Sequence, residues 1–262
     1  MFAYLELSDR VDYNPQDFCF AFKDFSGQPV NVLIQQDAQE FLNMIFDKLE
    51  NALKGTPYKK LLDGVYGGKT CTQLTCSECN YVRTKEEQFY NLSLTIKNLK
   101  NLDECFEKYI EGEVISDFKC DSCNKKVDVT KRQLLSSLPN MLILHLQRLV
   151  FNLDTLMNEK INSRLDFPME LDLKKYTLDQ SKNSSYHLVG VVVHYGTAEF
   201  GHYYSFIDIK KGEDQWLEFN DSKIKEFKMK SLEKECFGGS DSNFGASDED
   251  MWGWGKLNRE NT

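Results

Sequence analysis

An excess of basic charge is missing from this sequence. Its 262 residues carry 32 Lys and Arg against 41 Asp and Glu, a formal net charge of −9. Such a balance argues against a nucleic-acid backbone or an anionic membrane as partner and favours, weakly, a partner with basic features. Long apolar runs are also missing: no stretch approaches the roughly 18 residues of a membrane span. The opening MFAYLELSDR has no basic segment followed by an apolar one, so no secretory signal is expected there and the chain reads as cytoplasmic or nuclear. There is no internal repeat beyond two cysteine pairs and no low-complexity linker. Histidine is scarce at four residues, which keeps the search for a general base short.

What remains is ordinary for a globular protein, with 41% hydrophobic and 28% charged residues. The length suits one large domain or two small ones. Ala38, Phe41, Leu42, Ile45, Leu49 and Ala52 recur at helical spacing. Asp37 suits the N-cap of that helix, Glu40 completes a capping-box pattern, and Gly55-Thr56-Pro57 closes it. Further on the period becomes two. Leu92, Leu94 and Ile96 alternate with Ser93, Thr95 and Lys97, as in a half-buried strand. A short amphipathic helix is expected around Leu102, Phe106 and Tyr109, then a β-rich run from Met141 to Leu149. Leu188–Tyr195 and His202–Ile209 read as paired strands joined by a Gly196–Gly201 loop, followed by a short strand from Trp216 to Phe219. Helices first and antiparallel strands later is the α+β order. Residues 238–250, rich in Gly, Ser, Asp and Glu, read as a mobile loop.

Cys76-Ser77-Glu78-Cys79 and Cys120-Asp121-Ser122-Cys123 are the strongest chemical signal. Two CxxC turns supply four sulfurs, enough for a closed tetrahedral zinc site that is structural because no coordination position stays open. Asn80 and Asn124 follow the pairs, and asparagine tolerates the left-handed backbone such knuckles need. Four thiols without metal, or a zinc ribbon for nucleic acid, are the alternatives; the acidic balance disfavours the ribbon. Cys19, Cys71, Cys105 and Cys236 read as small buried hydrophobes.

Among the histidines, His145 lies in an apolar strand and reads as a core residue. His187 has no polar constellation nearby, and His194 ends a strand. His202 directly follows Gly201 and opens a strand beside a glycine-bearing loop, where imidazole can face a cleft and work as a base near neutral pH. Asn220-Asp221, one strand later, is either the orienting member of a triad or an ordinary turn.

Taken together these pieces resemble the ubiquitin-specific protease family of papain-like cysteine peptidases. Gln35 to Phe41 resembles its second signature block, Cys76 to Cys79 leading to Phe89–Leu94 its zinc arm, and Leu142 to Arg148 its LxLHLKRF strand. Phe167 to Asp172 is similar to its FPxxLDL step, Tyr186 to Ser205 to its histidine box, and Trp216 to Ser222 to the block that follows. Gln28-Pro29-Val30-Asn31, Lys125-Lys126-Val127-Asp128 and Cys236-Phe237-Gly238-Gly239 resemble the fat-facets branch. The resemblance implies a thumb, palm and fingers: residues 1–62 thumb helices, 63–140 mainly fingers with the four-cysteine zinc site, and 141–262 mainly palm. It implies that ubiquitin and ubiquitinated proteins are the partners, and that His202 is the base, Asn220 its orienter and Asp221 a supporting group. Asp37 and Glu40 match positions that meet arginines of the ubiquitin tail, Tyr203 is a further ubiquitin contact, and Gly196–Gly201 is a loop bordering the cleft.

Two departures stand out. The Asn-x-Gly-x-Thr-Cys box that carries the family's nucleophile does not occur, and Met1 already falls beyond its expected place. At the other end, Met251-Trp252-Gly253-Trp254-Gly255 replaces a tyrosine-rich strand. The catalytic domain is therefore expected to be partial and part of a larger polypeptide. A deubiquitinating enzyme and a non-catalytic ubiquitin-binding module are the two functional expectations.

Overall fold

The structure, a computed structural model, describes residues 2–10, 13–24, 26–31, 36–180, 184–210 and 215–239. Gln35, most of the expected mobile loop and Met251–Gly255 lie outside the described residues. The chain divides into two compact units, Met1–Lys59 and Lys60–Thr262.

The first unit is helical, with α1 (Phe2–Leu7), α2 (Gln16–Ala21) and α3 (Ala38–Leu53). Asp37 caps α3, its carboxylate accepting from the N–H groups of Gln39 and Glu40, and Gly55 at φ +83° follows the helix. The buried face differs from the spacing-based expectation. Met44 and Phe46 are buried, while Leu49 and Ala52 are exposed. Phe22, just past α2, packs its ring 5.1 Å from that of Phe41 in the first turn of α3.

The second unit opens with α4 (Leu61–Tyr66) and a long antiparallel sheet. β1 (Gly68–Cys76) turns into β2 (Val82–Phe89), and β4 (Glu113–Lys119) turns into β5 (Lys126–Ser137). The order β2-β1-β5-β4 places the two hairpins side by side. Because β1 and β5 run antiparallel with Cys76 opposite Val129, both hairpin turns emerge at the same end of the sheet. Between the hairpins lie β3 (Leu92–Thr95) and α5 (Leu102–Ile110). The alternation read in the sequence holds: Leu92, Leu94 and Ile96 are buried, 3%, 0% and 1% exposed, against Leu102, Phe106, Leu135, Leu165 and Tyr176. Asn101 caps α5 by accepting from the Glu104 N–H at 2.9 Å.

The run from Met141 becomes two strands, β6 (Leu144–Gln147) and β7 (Leu149–Asn152). β6 pairs with β3 in parallel, an exception to the antiparallel expectation that the α5 connection permits. β7 pairs with β8 (Met157–Lys160), and β9 (Glu170–Asp172) with β10 (Ser185–His187). The strand expected from Leu188 instead breaks. The Leu188 N–H bonds Met169 and the Val189 carbonyl accepts from Asp208, so the chain passes there from one sheet to the next. That next sheet is β11 (Gly190–Gly196), β12 (Gly201–Lys210), β13 (Gln215–Asn220) and β14 (Lys223–Phe227), antiparallel and in sequence order. α6 (Leu232–Cys236) closes the described chain.

Candidate active site and cysteine cluster

Strand alternation decides which side chains share a face of the β11–β14 sheet. On β12, His202, Tyr204, Phe206 and Asp208 lie on one side; β13 presents Trp216, Glu218 and Asn220 to the same side, since Phe206 pairs with Glu218 and Asp208 with Trp216. Three sequence candidates meet here. His202 Nε2 lies 2.7 Å from Asn220 Oδ1 and 3.9 Å from a carboxylate oxygen of Asp221. Asp221 also occupies the turn between β13 and β14, at φ +51°.

The geometry settles the ring's tautomer through a residue the sequence reading missed. Glu218 accepts from Asn220 Nδ2 at 3.4 Å, which turns the amide oxygen toward the histidine. An oxygen at that position requires Nε2 to carry the proton, so Nδ1 is the basic atom of the imidazole. Glu218 was findable, because it lies two residues before Asn220 on a strand and hence on the same face. The His202 and Tyr204 rings stack nearly parallel at 6.5 Å, and burial pushes the Tyr204 phenol up to about 12. Tyr203 points to the other face, its ring 4.7 Å from that of His194.

The loop before His202 is tight. Thr197 N–H donates to the Phe200 carbonyl at 2.7 Å, and the Thr197 hydroxyl accepts from the N–H of Phe200 at 3.1 Å. Gly196 holds φ +112° and a Cβ there would strike the Phe200 carbonyl, so glycine is required at that turn. The other histidines match their sequence readings in part. His145 is half-buried with Nδ1 3.1 Å from the Ser93 hydroxyl, and His187 is exposed at the end of β10.

Asp37 and Glu40 lie at the start of α3, in the first unit, where Asp37 uses one carboxylate oxygen as cap. The second oxygen of that carboxylate is not needed for the cap.

Cys76, Cys79, Cys120 and Cys123 come together at the shared end of the two hairpins, their sulfurs all within 4.8 Å of one another. Each turn is built alike. Cys76 N–H bonds the Tyr81 carbonyl and Asn80 N–H the Cys76 carbonyl; Cys120 N–H bonds Lys125 and Asn124 N–H bonds Cys120. Asn80 at φ 57° and Asn124 at φ 56° supply the expected left-handed turns. Cys79 and Cys120 sulfurs stand 3.7 Å apart, matching the edge of about 3.8 Å of a tetrahedron with 2.3 Å zinc–sulfur bonds. The donor set and spacing therefore fit a tetrahedral metal. Hydrogen bonds from the Tyr81 N–H and Cys76 lower the Cys79 thiol to about 7, toward the thiolate that binds metal.

Cys123 does not share the lowering seen at Cys79: against the hydrogen bond from the Lys125 N–H, desolvation and the Cys120 and Cys79 thiols push it up to about 11. Three cysteines outside the cluster are raised as well. Burial pushes Cys105 up to about 11 and Cys236 up to about 12, and raises Cys71 as well. An inert buried thiol behaves this way, and a nucleophile does not. Among the described residues, the hydrogen-bond, ion-pair and ring contacts of His202 are with Asn220, Asp221 and Tyr204.

An α+β fold with a His–Asn pair at a strand start and a four-cysteine tip on a two-hairpin sheet is that of a papain-like peptidase of the ubiquitin-directed kind. The profile of the family described as ubiquitin carboxyl-terminal hydrolase matches residues 2–243, and the chain belongs to that family. Human ubiquitin carboxyl-terminal hydrolase 9Y is 34% identical over 275 residues, covering 91% of this chain and 11% of that protein. Drosophila melanogaster probable ubiquitin carboxyl-terminal hydrolase FAF is 34% identical over 266 residues, covering 91% of this chain and 10% of that protein. The chain thus spans about a tenth of the length of these curated relatives. Among solved structures, a SAGA DUB module bound to monoubiquitin matches with a TM-score of 0.71 and 31% identity, over 78% of this chain and 47% of that one.

Proposed function

We propose that this chain is the ubiquitin-recognising part of a thiol-dependent deubiquitinase, with His202 as general base for hydrolysis after the ubiquitin C-terminal glycine. The observation that carries this reading is the 2.7 Å contact from His202 Nε2 to Asn220 Oδ1. It leaves Nδ1 free to take a proton from a thiol, and the Asp221 carboxylate stands 3.9 Å from Nε2 on the same side of the ring. Asp37, Glu40 and Tyr203 are assigned to ubiquitin; a carboxylate pair suits guanidinium groups of a basic peptide tail. The resemblance to a module bound to monoubiquitin supports the same partner.

Hydrolysis needs a thiolate in addition. The 262 residues contain no Asn-x-Gly-x-Thr-Cys segment, and the thiols of Cys71, Cys105 and Cys236 are raised. That observation favours a second reading for the chain taken alone, ubiquitin binding without turnover. The two separate cleanly: the chain alone should bind ubiquitin in a titration yet neither cleave a ubiquitin–fluorophore substrate nor label with a cysteine-reactive ubiquitin probe. Joined to a segment carrying the Cys box, it should do both, and His202→Ala should then abolish turnover. Turnover by the chain alone would refute the assignment.

The tip is assigned to one structural zinc held by Cys76, Cys79, Cys120 and Cys123, which would tie the two hairpins together and take no part in the reaction. In family terms residues 1–62 serve as thumb, 63–140 as fingers and 141–262 as palm. Kinship with the fat-facets branch rests on the Gln28–Asn31, Lys125–Asp128 and Cys236–Gly239 segments. A reducing compartment, cytoplasm or nucleus, suits eight free cysteines.

A further inference from the structure

A lysine remote in sequence from the histidine box holds the backbone just before it. Lys160, the last residue of β8, donates from Nζ to the carbonyl of His194 and to the carbonyl of Gly196, both at 2.9 Å. These two carbonyls are two residues apart on β11 and so leave the strand on the same edge. β11 is the outer strand of its sheet, so this edge has no strand partner among the described residues. Between the two clamped residues lies Tyr195, which pairs directly across the ladder with His202. Gly196, the second clamped residue, pairs with Gly201 and opens the 197–200 turn.

The clamp is itself anchored. The β7–β8 register places Lys160 opposite Leu149. The neighbouring Arg148 guanidinium donates to the carbonyls of Ile161 and Ser163 at 3.0 Å each and of Phe237 at 3.1 Å, so the chain leaving β8 is fixed as it exits. Burial and then the Arg148 charge lower the Lys160 pKa. The ammonium has thus given up water for the two carbonyls, and such charge-assisted bonds are stronger than neutral ones.

We propose that Lys160 is a positioning residue for His202: by clamping both sides of Tyr195 it sets the end of β11, and through the Tyr195–His202 pair it fixes the imidazole in reach of Asn220. This rests on His202 being the base, but its test does not require catalysis. In the 262-residue chain with ¹⁵N-labelled histidine, the His202 imidazole should show the Nε2–H tautomer expected from the Asn220 contact. Lys160→Met, which removes both bonds, should shift it toward a mixture of tautomers and speed amide exchange at 197–202 by at least about tenfold, the order of even one lost charge-assisted bond. Protection at Leu92–Thr95 should be unchanged, and Lys160→Arg, which keeps a cationic donor, should restore the wild-type pattern. Lys160→Gln, with a single amide donor, is measured alongside in case the methionine variant loses protection throughout. A folded variant with an unchanged His202 signal overturns the proposal. So does loss of Leu92–Thr95 protection in both variants, which would make the lysine a general structural element. If tautomer and exchange respond as expected while the chain joined to a Cys box keeps turnover after His202→Ala, the functional reading fails and the positioning role stands.

Discussion

Replacing Cys120 by serine tests how the two hairpins are held together. Cys120 is 2% exposed and its sulfur lies 3.7 Å from that of Cys79. Around it the tip has little apolar support: Val127 and Val129 are the buried aliphatic residues of that cluster, with Leu74, Ile115 and Phe118 packed partly against them. A fully buried valine contributes about 1.5–3 kcal/mol, whereas structural zinc contributes about 10–16 kcal/mol in isolated zinc-finger peptides. With zinc bound as proposed, metal would outweigh the apolar packing at the tip, and a serine hydroxyl would not replace a thiolate ligand. Loss of even about 3 kcal/mol accelerates locally opening amides roughly a hundredfold. Metal analysis should fall from one zinc per chain to a small fraction. Hydrogen exchange should rise at least that much in peptides covering 74–82 and 115–129. The core around Leu94 and Phe106 should stay protected, because it is packed by α5, β3 and β5 and contains no tip cysteine. Retention of one zinc per chain, or metal loss with tip exchange unchanged, would refute the reasoning.

Asp37→Asn with Glu40→Gln removes two charges while retaining a good cap; affinity for ubiquitin should drop and lose part of its salt dependence, and an unchanged low-salt titration counts against these residues. Glu218→Ala should free the Asn220 amide to flip, so the His202 ring should lose its single tautomer in a ¹⁵N spectrum while the fold stays intact. Leu94→Ala, at a site 0% exposed, should cost about 2–5 kcal/mol in a urea titration. Stability should also fall in alkali. Burial raises Cys105 to about 11 and Cys236 to about 12 from an ordinary 9.0, so the folded chain keeps these protons after the unfolded chain has released them. This contribution is complete below about pH 9 and is lost as pH rises through 11 and 12; a urea midpoint that stays level over that window would contradict it.

Much of the fold was written in local pattern. The period-two alternation of Leu92, Leu94 and Ile96, the Asp37 cap and the asparagines after each CxxC are short-range features, set by backbone geometry within a few residues. The structure reproduces each of them. Periodicity failed where a neighbour decides burial. Met44 and Phe46 are covered while Leu49, which shares the helical spacing of Phe41, Leu42 and Ile45, is exposed, because burial on α3 follows tertiary neighbours that spacing does not encode. The break at Leu188–Val189 was hidden for a similar reason, since an apolar run does not say which sheet each of its residues joins.

The sequence by itself determined which chemistry is present: four sulfurs in two knuckles, and four histidines, one of them after a glycine loop. Only the tertiary structure decided how those groups are used. The cysteine pairs, more than 40 residues apart, meet because β1 and β5 pair antiparallel in one register. His202 gains a defined tautomer because β12 and β13 set Asn220 within 2.7 Å of it and Glu218 turns that amide. Lys160 reaches the histidine box from a separate hairpin. Such contacts depend on cross-strand register and sheet order, which are non-local, and a one-residue slip of a strand would send its site-facing side chains to the opposite face.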